Sequence, residues 1–203
     1  MDTAQIPDTL IVFAHPGFEK SRVHRTWLPE VEALPFVAVR DLCQLYPGGV
    51  VDVKAEQAAL ESARTIVLQF PLYWYACPGI LKEWIDQVFE HGWAYGQTGT
   101  ALRGKRLLVA TSAGGAREAY QAQGRNRHSI KQYLLPHEGL ARLCGMEWLG
   151  VFALHGALTV QHKQDAQASA IAYAKLLTGL HDNSLDLASL QSLENLLEAI
   201  QAT

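Results

Sequence analysis

Residues 65–90 read TIVLQFPLYWYACPGILKEWIDQVFE, and three patterns follow one another in them. Thr65 to Phe70 is a short, nearly continuous apolar run rich in β-branched residues, as expected of a strand covered on both faces. From Ile80 the period changes, and Ile80, Leu81, Trp84, Ile85, Val88 and Phe89 fall on one stripe at helical spacing. Pro78 suits the first turn, Gly92 stops the helix, and the helix is predicted over Pro78 to Glu90. A covered strand leading into an amphipathic helix is the repeating unit of a parallel sheet. Between the two lies Pro71 to Gly79, a loop crowded with Tyr73, Trp74 and Tyr75.

The same alternation recurs outward in both directions. Leu10 to Ala14, Phe36 to Asp41, Arg106 to Ser112 and Trp148 to Leu154 read as further strands, five in all with Thr65 to Phe70. Helices are predicted over Ser21 to about Ala33, Ala55 to Ala63, Ser129 to Leu143 and Asp165 to Leu177, with a kink or early end at Pro29. A polar break, His181-Asp182-Asn183-Ser184, precedes one more amphipathic helix over Leu185 to Ile200. The pattern predicts an α/β fold, a doubly wound five-stranded parallel sheet with helices on both faces. Residues 1–180 form the domain and 181–203 a C-terminal helical appendage of it, which could be a surface or partner-facing element.

Composition narrows the function classes. The chain has 203 residues, 49% of them hydrophobic and 18% charged, enough to bury a core without disulfides or a structural metal. Lys plus Arg 17 against Asp plus Glu 20 gives a net charge of -3, which disfavours nucleic acid as a partner. Cys43, Cys77 and Cys144 are far apart and form no C-x-x-C pair, which fits a reducing cytoplasm. Met1 to Thr9 has neither a basic nor an apolar secretory region, and no stretch reaches 18 apolar residues, so any membrane contact is expected to be peripheral.

In a doubly wound sheet the ligand crevice opens at the carboxyl ends of the strands, where the winding reverses. The loops after strands one, three and four are also the chemically unusual ones. After the first, His15-Pro16 precedes Ser21-Arg22 at a helix start, where free N–H groups and the helix dipole attract an anion. The plain alternative is that Ser21 only caps the helix and His15 only bonds within its turn. After the third, Tyr73, Trp74 and Tyr75 are costly to expose unless a flat apolar ligand covers them, the alternative being simple core packing. After the fourth, Gly114-Gly115 lets backbone approach a ligand closely. Arg117, Arg125, Arg127, His128 and Lys131 follow, either as a solvated loop or as an attraction for the extra phosphate of NADPH.

Other chemistries fail on context. Residues 99–106, GTALRGKR, have P-loop spacing, but Arg106 replaces the required Ser or Thr and the segment precedes a strand. The eight histidines include no paired ligand spacing, so no metal site is expected, and no G-x-S-x-G elbow supplies a serine nucleophile.

In order along the chain stand Ala14-His15-Pro16 with Ser21 six residues beyond the histidine, Asp41-Leu42 through Leu45-Tyr46-Pro47, and Glu56-Gln57. Gln69 to Tyr75, Pro78 to Phe89, His91-Gly92-Trp93-Ala94-Tyr95-Gly96, and Gly114-Gly115 before Tyr120 follow. This series, from about Leu10 to Leu154, resembles the flavodoxin-like NAD(P)H:quinone oxidoreductase family. Within it, the resemblance is closest to the ancillary proteins of glutathione-gated potassium efflux systems. It implies a flavodoxin-like fold and a non-covalently held flavin, FMN, with FAD as the alternative.

By that resemblance His15, Ser21, Arg22, Val23 and His24 hold the phosphate and neighbouring chain, while Pro71, Leu72, Tyr73, Trp74 and Tyr75 line the ring with Ser112, Ala113, Gly114 and Gly115. Tyr120 matches the family's catalytic tyrosine, and Trp93 and Tyr95 match a segment that reaches a partner's substrate pocket in a homodimer. The implied reaction is a ping-pong hydride transfer from NADPH or NADH through the flavin to a quinone. The alternative function is a regulatory subunit on the cytoplasmic side of a potassium-proton antiporter. His24 stands where relatives often carry Asn, Ser112-Ala113 where they carry Thr-Thr, and the histidine after the tyrosine has Asn126 and His128 as candidate matches. A one-electron flavodoxin carrier is disfavoured, because the first loop lacks the Thr- and Ser-rich phosphate loop that flavodoxins share.

Overall fold

The computed structural model describes residues 7–158 and 163–201. Five strands, β1 (Thr9–Phe13), β2 (Val37–Asp41), β3 (Thr65–Pro71), β4 (Arg106–Ser112) and β5 (Glu147–Leu154), pair in parallel in the order β2-β1-β3-β4-β5. They fall within two residues of the runs read from sequence. Phe13 is level with Asp41 and Gln69, and Pro71 with Ser112 and Leu154, so the strands end along one edge of the sheet.

The helices are α1 (His24–Glu32), α2 (Leu42–Leu45), α3 (Val53–Ser62), α4 (Gly79–Val88), α5 (Ile130–Tyr133), α6 (Leu135–Leu143), α7 (Lys163–His181), α8 (Leu187–Ser192) and α9 (Leu196–Gln201). Successive strand residues point to opposite faces, which splits the interior in two. Leu10 and Val12 of β1 join Leu60 of α3 and Leu81, Trp84 and Val88 of α4 on one face. Ile11 and Phe13 join Trp27 and Val31 of α1 and Tyr173, Leu176 and Leu177 of α7 on the other. All of β3 is buried, which is why its sequence shows no polar alternation.

Several helix boundaries differ from expectation: α1 begins at His24, not Ser21, and α7 runs past Leu177 to His181, the first residue of the expected polar break. Helix α1 neither ends nor restarts at Pro29 but continues to Glu32. Pro29 and Arg25, whose carbonyl loses its partner, are both exposed residues, while Trp27, Leu28 and Val31 hold the buried side. The helix expected over Ser129 to Leu143 is two, because Pro136 cannot continue α5 but fits the first turn of α6. The segment expected as one helix over Leu185 to Ile200 is α8 and α9, separated by an extended Leu193. There Asn195 accepts from the Ala153 N–H and donates to the Ala153 carbonyl, both at 2.9 Å, and so closes the open edge of β5. Leu190, Leu196, Leu197 and Ile200 enter the second core.

His137 of α6 stacks on Phe70 with its Nδ1 unpartnered among the described residues, and burial lowers its pKa to about 4. The unfolded chain takes up this proton near 6.5 and the folded one only near 4. Stability therefore falls as pH drops through that window and levels off below it, by about 3 kcal/mol from this group alone. In urea unfolding at pH 7 and pH 4, His137→Leu should lose about 3 kcal/mol less than the unaltered protein. Equal losses would show that His137 is not the buried neutral group described.

Candidate functional site

At the carboxyl ends of the strands two basins adjoin, sharing Leu72 and Gly114. The first, about 430 Å3, is lined by His15, Ser21, Arg22, Val23, Pro71, Leu72, Tyr73, Ser112 and Gly114. The second, about 410 Å3, is lined by Leu72, Trp74, Tyr75, Gly114, Gly115 and Tyr120. The loops after β1, β3 and β4 thus border the crevice that a winding reversal between β1 and β3 leaves open.

The first basin has the make-up of an anion cradle. Ser21 Oγ accepts from the His24 N–H at 3.0 Å, but the N-cap of α1 is Val23, which has no side-chain cap, so Ser21 ties down the turn ahead of the helix. The N–H groups of Arg22 and Val23 make no hydrogen bond among the described residues. Lys20 and Arg22 line the basin, and both are without an ion pair among the described residues. His15 is 6% exposed and its Nδ1 has no hydrogen-bond partner among the described residues. Burial lowers its pKa, opposed by a backbone hydrogen bond and the Asp41 charge, so it is a neutral ring facing the cleft.

The second basin is aromatic and strained. Tyr73 and Ala76 exchange both backbone hydrogen bonds at 3.0 Å, closing a two-residue turn in which Trp74 and Tyr75 take φ of 48 and 66°. Left-handed backbone costs roughly 1–2 kcal/mol per non-glycine residue, and this turn favours Asn and Gly at both positions. Tyr75 is held by stacking on Tyr133 and by donating to Asn126 Oδ1 at 3.3 Å. Trp74 makes no hydrogen bond or ring contact among the described residues and is 94% exposed, so the turn presents a large flat ring to solvent at the mouth of the basin. Gly115 packs closely there: a Cβ would lie 3.1 Å from the Tyr120 ring and press on it. Burial raises the pKa of Tyr120, with Tyr75 and Tyr133 adding and Arg125 opposing, so its hydroxyl keeps its proton at neutral pH.

Four expected site residues line neither basin. Ala113 is fully buried, its N–H bonded to Leu154 and its carbonyl to Ala157, so it extends the sheet ladder. The His24 side chain lies beneath the first basin, not in it. Trp93 donates to Glu61 Oε1 at 2.6 Å and Tyr95 packs on His91, both away from the cleft of their own chain. The basic cluster also divides. Arg117 pairs with Glu198 at 2.6 Å and Lys131 donates to the carbonyls of Gln191 and Leu193, so both anchor the C-terminal segment, whereas Arg125 lines the second basin. Of the two candidate matches after Tyr120, Asn126 lines that basin and His128 packs on Tyr133.

Residues following β5 were missed from sequence. His155 packs on Tyr120 at 5.6 Å between ring centroids, and Ala157 and Leu158 line the first basin. The signal was available, since these too follow a strand's carboxyl end.

This arrangement belongs to a known class. The family model described as flavodoxin-like fold matches residues 7–177, and the chain belongs to that family. A Bacillus subtilis protein named as an uncharacterized NAD(P)H oxidoreductase, YdeQ, is 41% identical over 175 residues, covering 86% of this chain and 88% of that one. General stress protein 14 of Treponema denticola, solved in complex with FMN, is 38% identical with a TM-score of 0.81, covering 86% of this chain and 99% of that one. An NADPH-quinone reductase from P. pentosaceus is 32% identical with a TM-score of 0.75, covering 83% and 96%. None of these three is named for potassium efflux. Among the described residues no helix is long and apolar enough to cross a membrane, and no group of side chains could hold a metal ion.

The strain at Trp74 is testable directly. Trp74→Asn, which relieves one left-handed backbone without removing a packed side chain, should raise unfolding stability by about 0.5–1 kcal/mol in chemical denaturation. A loss of stability would show that the Trp74 ring makes contacts beyond those described here.

Proposed function

We propose that this protein is an FMN-dependent NAD(P)H:quinone oxidoreductase, acting as a homodimer. The observation that carries the reading is the pairing of two unlike basins across Leu72 and Gly114, one offering unbonded N–H groups and cations, the other aromatic faces. The residues fit such a cofactor. The N–H groups of Arg22 and Val23, with Lys20 and Ser21, hold its phosphate, and His15 adds a buried ring nitrogen without a hydrogen-bond partner among the described residues. Leu72, Tyr73, Ser112, Gly114 and Gly115 hold its ring. When bound, the flavin takes a hydride from NAD(P)H and passes two electrons to a quinone.

The chain's own part is to position, shield and supply hydrogen bonds. Trp74 and Tyr75 cover the nicotinamide or the quinone in turn as each occupies the second basin, which accounts for the strain stored in their turn. Tyr120, protonated and beside that basin, donates a hydrogen bond to the oxygen that gains charge. Trp93 and Tyr95, turned away from their own cleft, serve the second copy's basin. The names of the relatives support an NAD(P)H-linked enzyme and a quinone acceptor over a one-electron carrier.

Purified protein supplied with FMN should show a flavin spectrum that bleaches on anaerobic NADPH or NADH and returns on adding a simple quinone. Protein that takes up no FMN, or holds it without bleaching, would overturn the assignment. Tyr120→Phe should bind FMN as before and slow reoxidation by quinone about 100-fold in stopped flow.

A further inference from the structure

Beneath the first basin, four side chains form one hydrogen-bonded file. The Tyr173 hydroxyl on α7 donates to Gln69 Oε1 at 3.1 Å, Gln69 Nε2 lies 3.3 Å from His24 Nδ1, and His24 Nε2 lies 3.0 Å from Ser112 Oγ. Tyr173, Gln69 and His24 have no exposed surface, whereas Ser112 lines the basin. Tyr173 stacks on Phe152 and tilts against Trp27, so its ring is fixed from two sides.

We infer that the buried end of this file sets the direction of every hydrogen bond in it, so that Ser112 presents its hydroxyl proton to the cleft. A file of two amphoteric hydroxyls, an amide and a neutral imidazole can run either way. What breaks the tie is that Tyr173 is fully enclosed and its hydroxyl has Gln69 as its partner among the described residues. If the file ran inward, the phenol proton would be buried with no acceptor, a penalty that converts to roughly tenfold or more in population. At the other end either direction is satisfied, because Ser112 meets solvent or ligand.

Tyr173 therefore donates, Gln69 turns its oxygen to Tyr173 and its amide N–H to His24, and His24 accepts at Nδ1. Burial, with the neighbouring His15 adding, holds His24 well below the usual histidine range, so the ring carries one proton, and that proton is on Nε2. His24 Nε2 then donates to Ser112 Oγ, and the serine proton is left pointing out. The ligand group that meets Ser112 is an acceptor. Tyr173, Gln69 and His24 are positioning residues, acting through Ser112. The side chain expected to touch the phosphate instead polarises the floor. The ligand part of this inference rests on the FMN reading above, while the direction of the file does not.

The first test needs no cofactor. Nitrogen-15 NMR of His24 in the FMN-free protein should show Nε2 protonated and Nδ1 bare, unchanged from pH 8 to pH 5. The opposite tautomer, or an imidazolium, overturns the inference. The second test titrates FMN by fluorescence quenching into Tyr173→Phe, Ser112→Ala and the double variant. Each single change should weaken binding about threefold to tenfold, the size of one neutral hydrogen bond, and the double should be no weaker than Ser112→Ala alone. Losses that multiply in the double variant would show that Tyr173 does not act through Ser112. If Tyr173→Phe does not fold, the tautomer of the unaltered chain still decides. A protein that takes up no FMN would sink the proposed function and leave the tautomer result standing.

Discussion

The reversal of winding between β1 and β3 is the constraint on which the rest depends. β3 pairs with β1 on one side and β4 on the other, and every one of its residues is buried. Chain leaving β1 turns toward β2, while chain leaving β3 turns toward β4, so the loops at that edge diverge and cannot fill the space between them. The two basins are that space. The aromatic turn after β3 and the turn leading into α1 are each placed by a strand end that has no freedom to move, which is how loops come to hold fixed geometry.

Around this crevice the fold withdraws four histidines wholly or partly from water. Burial lowers the pKa of His15, His24, His137 and His155, while Lys20, Arg22 and Arg125 stand at the basin walls. Positive charge is thus concentrated where an anion approaches from solvent, and the interior offers neutral donors and acceptors. That division suits a flat ligand with one charged end. It also means that direction, not charge, is what the buried polar groups contribute, and direction is settled by whichever group has no alternative partner.

The C-terminal segment solves a different problem. β5 is an edge strand, and an open parallel edge would invite pairing with another chain. Asn195 occupies one N–H and one carbonyl of that edge, while Arg117 and Lys131 fasten the segment through Glu198 and two carbonyls. Two arginine and lysine side chains that looked available for a phosphate are consumed in this way.

The sequence by itself determined what depends on periodicity and on local chemistry. Five apolar runs and the helical stripes between them sufficed for the parallel sheet, because burying both faces leaves no other pattern in the strands. The aromatic loop and Gly114-Gly115 were legible because stacking and close approach are properties of a few neighbouring residues, whereas Ser21, expected as the cap of α1, lies two residues ahead of its actual N-cap, Val23. Only the tertiary structure decided where those residues faced. His24 follows Ser21 closely in sequence, but a helical turn swings its ring under the sheet's edge to meet Ser112 and Gln69, partners 88 and 45 residues away. Ala113 sits between two cleft residues yet belongs to the ladder, and Arg117 was claimed by Glu198, 81 residues on. Long-range pairing of this kind follows from which elements pack together, and no local pattern encodes it.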